Sequence, residues 1–68
     1  MEIFDTPNSS NISRVGHDGK VLVVTFKNGD EWEYSAPKSV FEEMKKAKSV
    51  GSFLHVRVKG IYNGRKRD

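Results

Sequence analysis

The chain has 68 residues, 12 of them Lys or Arg and 9 Asp or Glu, for a formal net charge of +3, and it contains no cysteine. Such a length allows one domain, which buries only about 60% of the surface its unfolded form exposes, so stability is marginal unless the chain oligomerises. The missing thiols exclude both a disulfide framework and a thiolate zinc site, and point to a reducing, cytoplasmic setting.

The opening Met1-Glu2-Ile3-Phe4-Asp5 has no basic region and no apolar run long enough for a signal peptide or a membrane span. A soluble intracellular protein is expected. Residues 1–10 lack periodicity and end in Pro7-Asn8-Ser9-Ser10, which reads as a flexible lead-in to a domain over 11–64. Residues 65–68 read as a basic C-terminal tail.

From Val21 to Phe26 the run is β-branched and apolar, and hence a strand. Asp18-Gly19 before it and Asn28-Gly29 after it are hairpin signals, which predicts a three-stranded antiparallel meander. A two-residue Asn28-Gly29 loop would set Glu31 and Glu33 on the Leu22/Val24/Phe26 face. A three-residue loop with Gly29 left-handed in a bulge instead places Val24 opposite Trp32 and Leu22 opposite Tyr34. In the first hairpin Ile12 and Val15 have opposite parity, so both face the core only if a bulge intervenes; Gly16 is one candidate, and the register stays open.

Pro37 suits the first turn of a helix, Ser39-x-x-Glu42 supplies a capping-box pattern, and Val40, Phe41, Met44 and Ala47 form one apolar stripe. A helix over roughly 37–48 follows, ended near Gly51. Beyond it, Val56-Arg57-Val58-Lys59 alternates like a strand, whereas Leu54, Val58, Ile61 and Tyr62 recur at helical spacing. A helix is expected, with Gly60 in its interior at a cost of about 0.5–1 kcal/mol relative to alanine.

Ser9-Ser10-x-Ile12, Val15-Gly16-His17-Asp18, Leu22-x-Val24-x-Phe26-x-Asn28-Gly29, Trp32-x-Tyr34, Ala36-Pro37 and Ala47-x-Ser49-x-Gly51 follow one another in order, with Phe53-Leu54, Val58 and Tyr62 behind them. This string, over roughly residues 9 to 65, resembles the KTSC domain family. That family is named for its occurrence at the C-terminus of some lysyl-tRNA synthetases and is also found as free-standing proteins in bacteria and phages. The family usually has tyrosine where His17 stands, Tyr-x-Tyr at Trp32-x-Tyr34 and Val-Pro at Ala36-Pro37. The resemblance implies the second helix, and hence an α+β fold of order β-β-β-α-α with both helices on one face of the sheet.

No catalytic site or cofactor is implied. His17 and His55 are the only histidines, no His-x-x-x-His or Glu-x-x-His spacing occurs, Gly16-x-x-Gly19 is a turn, and Ser9-Ser10 lacks a nucleophile-elbow context. His17, beside Asp18 at a tight turn, reads as structural or simply exposed. A non-enzymatic role is expected.

Charge is unevenly placed. Residues 55 to 68 hold Arg57, Lys59, Arg65, Lys66 and Arg67 against Asp68, a net of +4, while the remainder is close to neutral at −1. A basic segment on a neutral body is what a phosphate-contacting arm looks like, and also what a solubilising tail looks like. Arg57, Lys59, Arg65, Lys66 and Arg67 are therefore the candidate nucleic-acid contacts, with His55 beside them and Tyr62 as a ring that stacks a base or covers the core edge.

Trp32 and Tyr34 are candidate base-stacking aromatics, although their parity with Leu22, Val24 and Phe26 assigns at least one of them to the core. The expected function is a small nucleic-acid-binding module, with RNA favoured because the resemblance links the domain to a tRNA synthetase. The alternative is a protein-interaction or small-ligand-sequestering accessory protein, a homodimer built on the apolar Val21/Val23 face.

Overall fold

The computed structural model describes residues 1–7 and 9–67; Asn8 of the expected lead-in and Asp68 of the expected tail lie outside them. Five strands, β1 (Glu2–Asp5), β2 (Ile12–His17), β3 (Leu22–Phe26), β4 (Glu31–Tyr34) and β5 (Gly64–Arg67), form one antiparallel sheet in chain order. The fold is α+β, but with two strands more than the expected three. The additions come from the segments read as lead-in and tail, and each forms an edge of the sheet.

Neither edge strand has a strong apolar signature. In β1 only Phe4 reaches the core, its ring tilted 51° against Phe41 at 5.4 Å, while Ile3 stays exposed. β5 has no apolar side chain; its backbone pairs with β4, setting Arg65 opposite Glu33 and Arg67 opposite Glu31.

The second hairpin has the register that keeps carboxylates off the core: Val24 pairs with Trp32 and Leu22 with Tyr34. Gly29 takes φ +97°, the left-handed conformation a side chain would strain. In the first hairpin Ile12 pairs with Phe26 and Arg14 with Thr25, so the extra residue is Ser13 and the bulge lies there, not at Gly16. This bulge brings Ile12 and Val15 to the same face, where both are fully buried.

Helix α1 (Lys38–Lys46) buries Val40, Phe41 and Met44 against the sheet. Pro37 stands at its N-cap and the Ser39/Glu42 capping box is not made; the Val40 N–H donates to the Pro37 carbonyl at 3.0 Å. Ser49 opens α2 (Val50–Phe53), its Oγ accepting the Ser52 N–H at 3.3 Å, so Gly51 lies inside a helix and does not end one.

The chain then continues without a break into a π-helical segment over Leu54–Val58, closed by the Lys59 N–H donating to the Leu54 carbonyl at 2.9 Å. Helical spacing thus prevails over strand alternation here. Leu54 and Val58 enter the core, whereas Ile61 stays 64% exposed and Gly60 falls in the following turn, outside any helix. Both helices cover the same face of the sheet, and the core is formed by Ile12, Val15, Leu22, Val24 and Tyr34 below with Val40, Phe41, Met44, Leu54 and Val58 above.

Candidate functional site

The five C-terminal basic residues do not form one arm. Parity along β5 divides them: Arg65 and Arg67 share the uncovered face with Glu33 and Glu31, while Lys66 lies on the helix side opposite Trp32. Arg65 is held by Glu33, its Nε and Nη2 both donating to Oε1 at 3.1 and 2.8 Å. Lys66 Nζ is 3.5 Å from Asp30 Oδ1, a solvent-exposed pair of little net strength. Arg57 lies 5.8 Å from the centre of the Phe53 ring, and Lys59 the same distance from that of Phe26.

Of the two candidate stacking residues, Tyr34 belongs to the core. It is 4% exposed, the backbone of Gly64 lies against its ring, and burial pushes its phenol pKa up. Trp32 is half-buried, stacked on Tyr34 at 6.5 Å. Phe26, also half-buried, is its diagonal neighbour on the same face, since Trp32 pairs with Val24. Trp32, Phe26, Lys66 and Lys59 therefore share one rim of the sheet, where two partly exposed rings meet two ammonium groups. Tyr62 is half-buried against the core edge.

His55 lies elsewhere. It lines a groove of about 650 Å³ between the loop that joins β1 to β2 and the segment from the end of α1 into the π-helical turn. Ser9, Ser10 and Asn11 form one wall; Lys45, Lys48, Ser52 and His55 project from the other; Phe4, Val50 and Val56 supply apolar surface.

The loop wall is anchored. Thr6 Oγ1 donates to the Ile12 carbonyl at 2.6 Å, Ser9 Oγ accepts the Ile12 N–H at 3.1 Å, and the Asn11 carbonyl accepts the Lys27 N–H at 2.8 Å. A Cβ built at Gly51 would meet Asn11 Oδ1 at 3.5 Å, so the walls come within van der Waals reach of each other.

Sequence reasoning missed this groove because it assigned residues 1–10 to a lead-in. The signal was nonetheless present, since Ser9-Ser10 and Ser49-x-Gly51, parts of two of the strings carrying the family resemblance, lie in its opposing walls.

Among the described residues no helix covers the other face of the sheet. Val23 there is only 6% exposed and Val21 half-buried, so the apolar surface expected from these valines is largely covered within the chain itself; Met1 and Ile3 supply the exposed apolar area instead. His17 is structural: it is buried, at 3% exposure, and both of its ring nitrogens are hydrogen-bonded. Among the described residues no three of His, Asp or Glu come together as metal ligands, and no helix is long and apolar enough to cross a membrane.

The family model of the KTSC domain matches residues 8–62. A KTSC domain protein from Yersinia pestis, known from its crystal structure, is similar at a TM-score of 0.80 and 26% identity, over 98% of this chain and 100% of that one. No curated protein matches the chain. With a family match over most of its length and the same fold in a structurally characterised member, the chain belongs to the KTSC domain family.

Proposed function

We propose that the domain is a non-enzymatic module that binds single-stranded nucleic acid, RNA by preference, along the rim formed by Trp32, Phe26, Lys59 and Lys66. The observation that carries this reading is the cross-strand pair Trp32/Lys66, with Phe26 beneath Lys59 next to it. A partly exposed ring offers a stacking surface to an unpaired base, contributing about 1–3 kcal/mol, while flanking ammonium groups neutralise the phosphates on either side. Arg57 and Arg67 extend the positive field. Arg65 contributes less because Glu33 already compensates it.

The RNA preference rests on the association of the family with a tRNA synthetase. Sequence specificity is not expected, since stacking on a ring and contacts to phosphates do not read base edges.

The test is binding of labelled single-stranded RNA and DNA across a salt series, with Trp32→Ala and Lys59→Ala/Lys66→Ala. Affinity that falls with salt, and falls less steeply in the lysine variant, supports the rim as a phosphate-contacting surface. Absence of binding at low salt removes this reading.

A further inference from the structure

We propose that the groove between the β1–β2 loop and the Lys45–Val56 segment binds a phosphate monoester of nucleotide size. Its volume of about 650 Å³ exceeds what a lone phosphate fills and lies within the usual range of small-molecule pockets, about 300–1,000 Å³. The charge of its lining favours an anion: Lys45 and Lys48 face it against the single carboxylate of Asp5, and the His55 ring adds a hydrogen-bonding group.

Lys45 is partly engaged, 3.5 Å from Glu42, whereas Lys48 makes no ion pair among the described residues. The hydroxyls of Ser10 and Ser52 and the Asn11 amide N–H groups likewise have no hydrogen-bond partner among the described residues, so each can donate to a phosphate oxygen. Ser9 and Ser49 differ in that their hydroxyls are used to shape the two walls. Phe4, Val50 and Val56 give the ester portion an apolar surface to lie on, which an inorganic ion does not use.

The groove adjoins edge strand β1, at the opposite edge of the sheet from β5. It is thus separate from the Trp32/Lys66 rim, and each site can fail alone.

The experiment is a titration of the ¹⁵N-labelled protein with AMP, adenosine and inorganic phosphate. AMP is expected to shift amides of residues 9–11 and 48–56, with adenosine and phosphate each about tenfold weaker or worse, as a charge-assisted contact added to apolar packing requires. The exposed substitutions Lys48→Glu and Ser52→Glu should each weaken AMP at these amides by about fivefold or more, and Lys20→Ala, at the exposed β2–β3 turn outside both sites, should leave it unchanged. A 5′-phosphorylated trinucleotide tested against its 5′-hydroxyl form assigns the source: preference for the phosphorylated strand supports a strand end as ligand, and binding of AMP alone supports a free nucleotide. Groove amides unmoved by about 10 mM AMP, or AMP and adenosine binding equally, overturn the proposal.

Discussion

The imidazole of His17 ties the β2–β3 turn to the segment that leads into α1. Nδ1 accepts the Gly19 N–H at 3.0 Å and Nε2 lies 2.9 Å from the Ala36 carbonyl, which fixes the tautomer with the proton on Nε2. The ring also lies 6.0 Å from Phe41, so one side chain joins a turn, the entry to a helix and the core. His17→Ala removes both hydrogen bonds from a buried position and leaves a void. The expected cost is about 2 kcal/mol. For a chain of this size that corresponds to a melting temperature lower by about 8–16 °C, read by circular dichroism. An unchanged melting temperature would show that the link is incidental.

The same turn makes stability depend on acid. The Asp18 carboxylate accepts the N–H groups of Val21 and Lys20 at 2.9 and 2.8 Å, and these bonds hold its pKa below the usual aspartate value. Glu2 is lowered likewise by its hydrogen bond to Lys38. A depressed carboxylate pKa contributes stability that is present above the unfolded-state value and lost as the pH falls through the folded one. Urea unfolding between pH 6 and 2 should therefore show stability declining from about pH 4 downward. Asp18→Asn keeps an acceptor for the turn but has no proton to take up, so its acid decline should be shallower. An equal slope in the variant would remove Asp18 from the account.

Where apolar burial selects one arrangement, the sequence was sufficient. The register of β3 against β4 follows from keeping Glu31 and Glu33 off the face of Leu22, Val24 and Phe26, and Gly29 permits the turn that this register needs. Residues that hold their place by backbone pairing carry no such signal. Glu2–Asp5 offers Phe4 alone to the core and Gly64–Arg67 offers no apolar side chain, so a periodicity-based reading sees a lead-in and a tail where the sheet has two edges. The Ser13 bulge was implied by the parity of Ile12 and Val15, but parity does not say which intervening residue is extra.

For the candidate rim, composition identified the cations but not their partition. Only the pairing of β5 shows that Lys66 joins Trp32 while Arg65 and Arg67 lie on the other face. The groove walls are about 40 residues apart in sequence and meet only because α1 returns its C-terminal end to the β1–β2 loop.

The docking of β5 depends on a residue without a side chain. A Cβ at Gly64 would collide with the Tyr34 ring, which is packed in the core and cannot swing away. Gly64→Ala should cost about 1–3 kcal/mol through overpacking. It should also speed amide hydrogen exchange in residues 64–67 more than in β3. Gly60→Ala is the control, because a Cβ there meets only the Val56 carbonyl at 3.9 Å. Equal protection of β5 in both variants would mean that the strand tolerates displacement of the ring.

Arg65 and Lys66 are adjacent in sequence and equal in formal charge, yet the sheet gives them different electrostatic surroundings. Arg65 donates twice to Glu33 on the uncovered face, whereas Lys66 is opposite Trp32 and meets only the exposed Asp30 carboxylate at 3.5 Å. If RNA lies along the Trp32 rim, Lys66→Ala removes one phosphate contact and should reduce the slope of log K against log salt by about 0.7 for a single strand. Arg65→Ala leaves Glu33 uncompensated on the other face, so it should weaken binding only through the long-range field, with the slope nearly unchanged. Both variants alter net charge equally, which makes the slope difference a measure of position rather than of charge. Identical slopes would mean that binding senses the overall basicity of β5 and that the Trp32 rim has no special part in it.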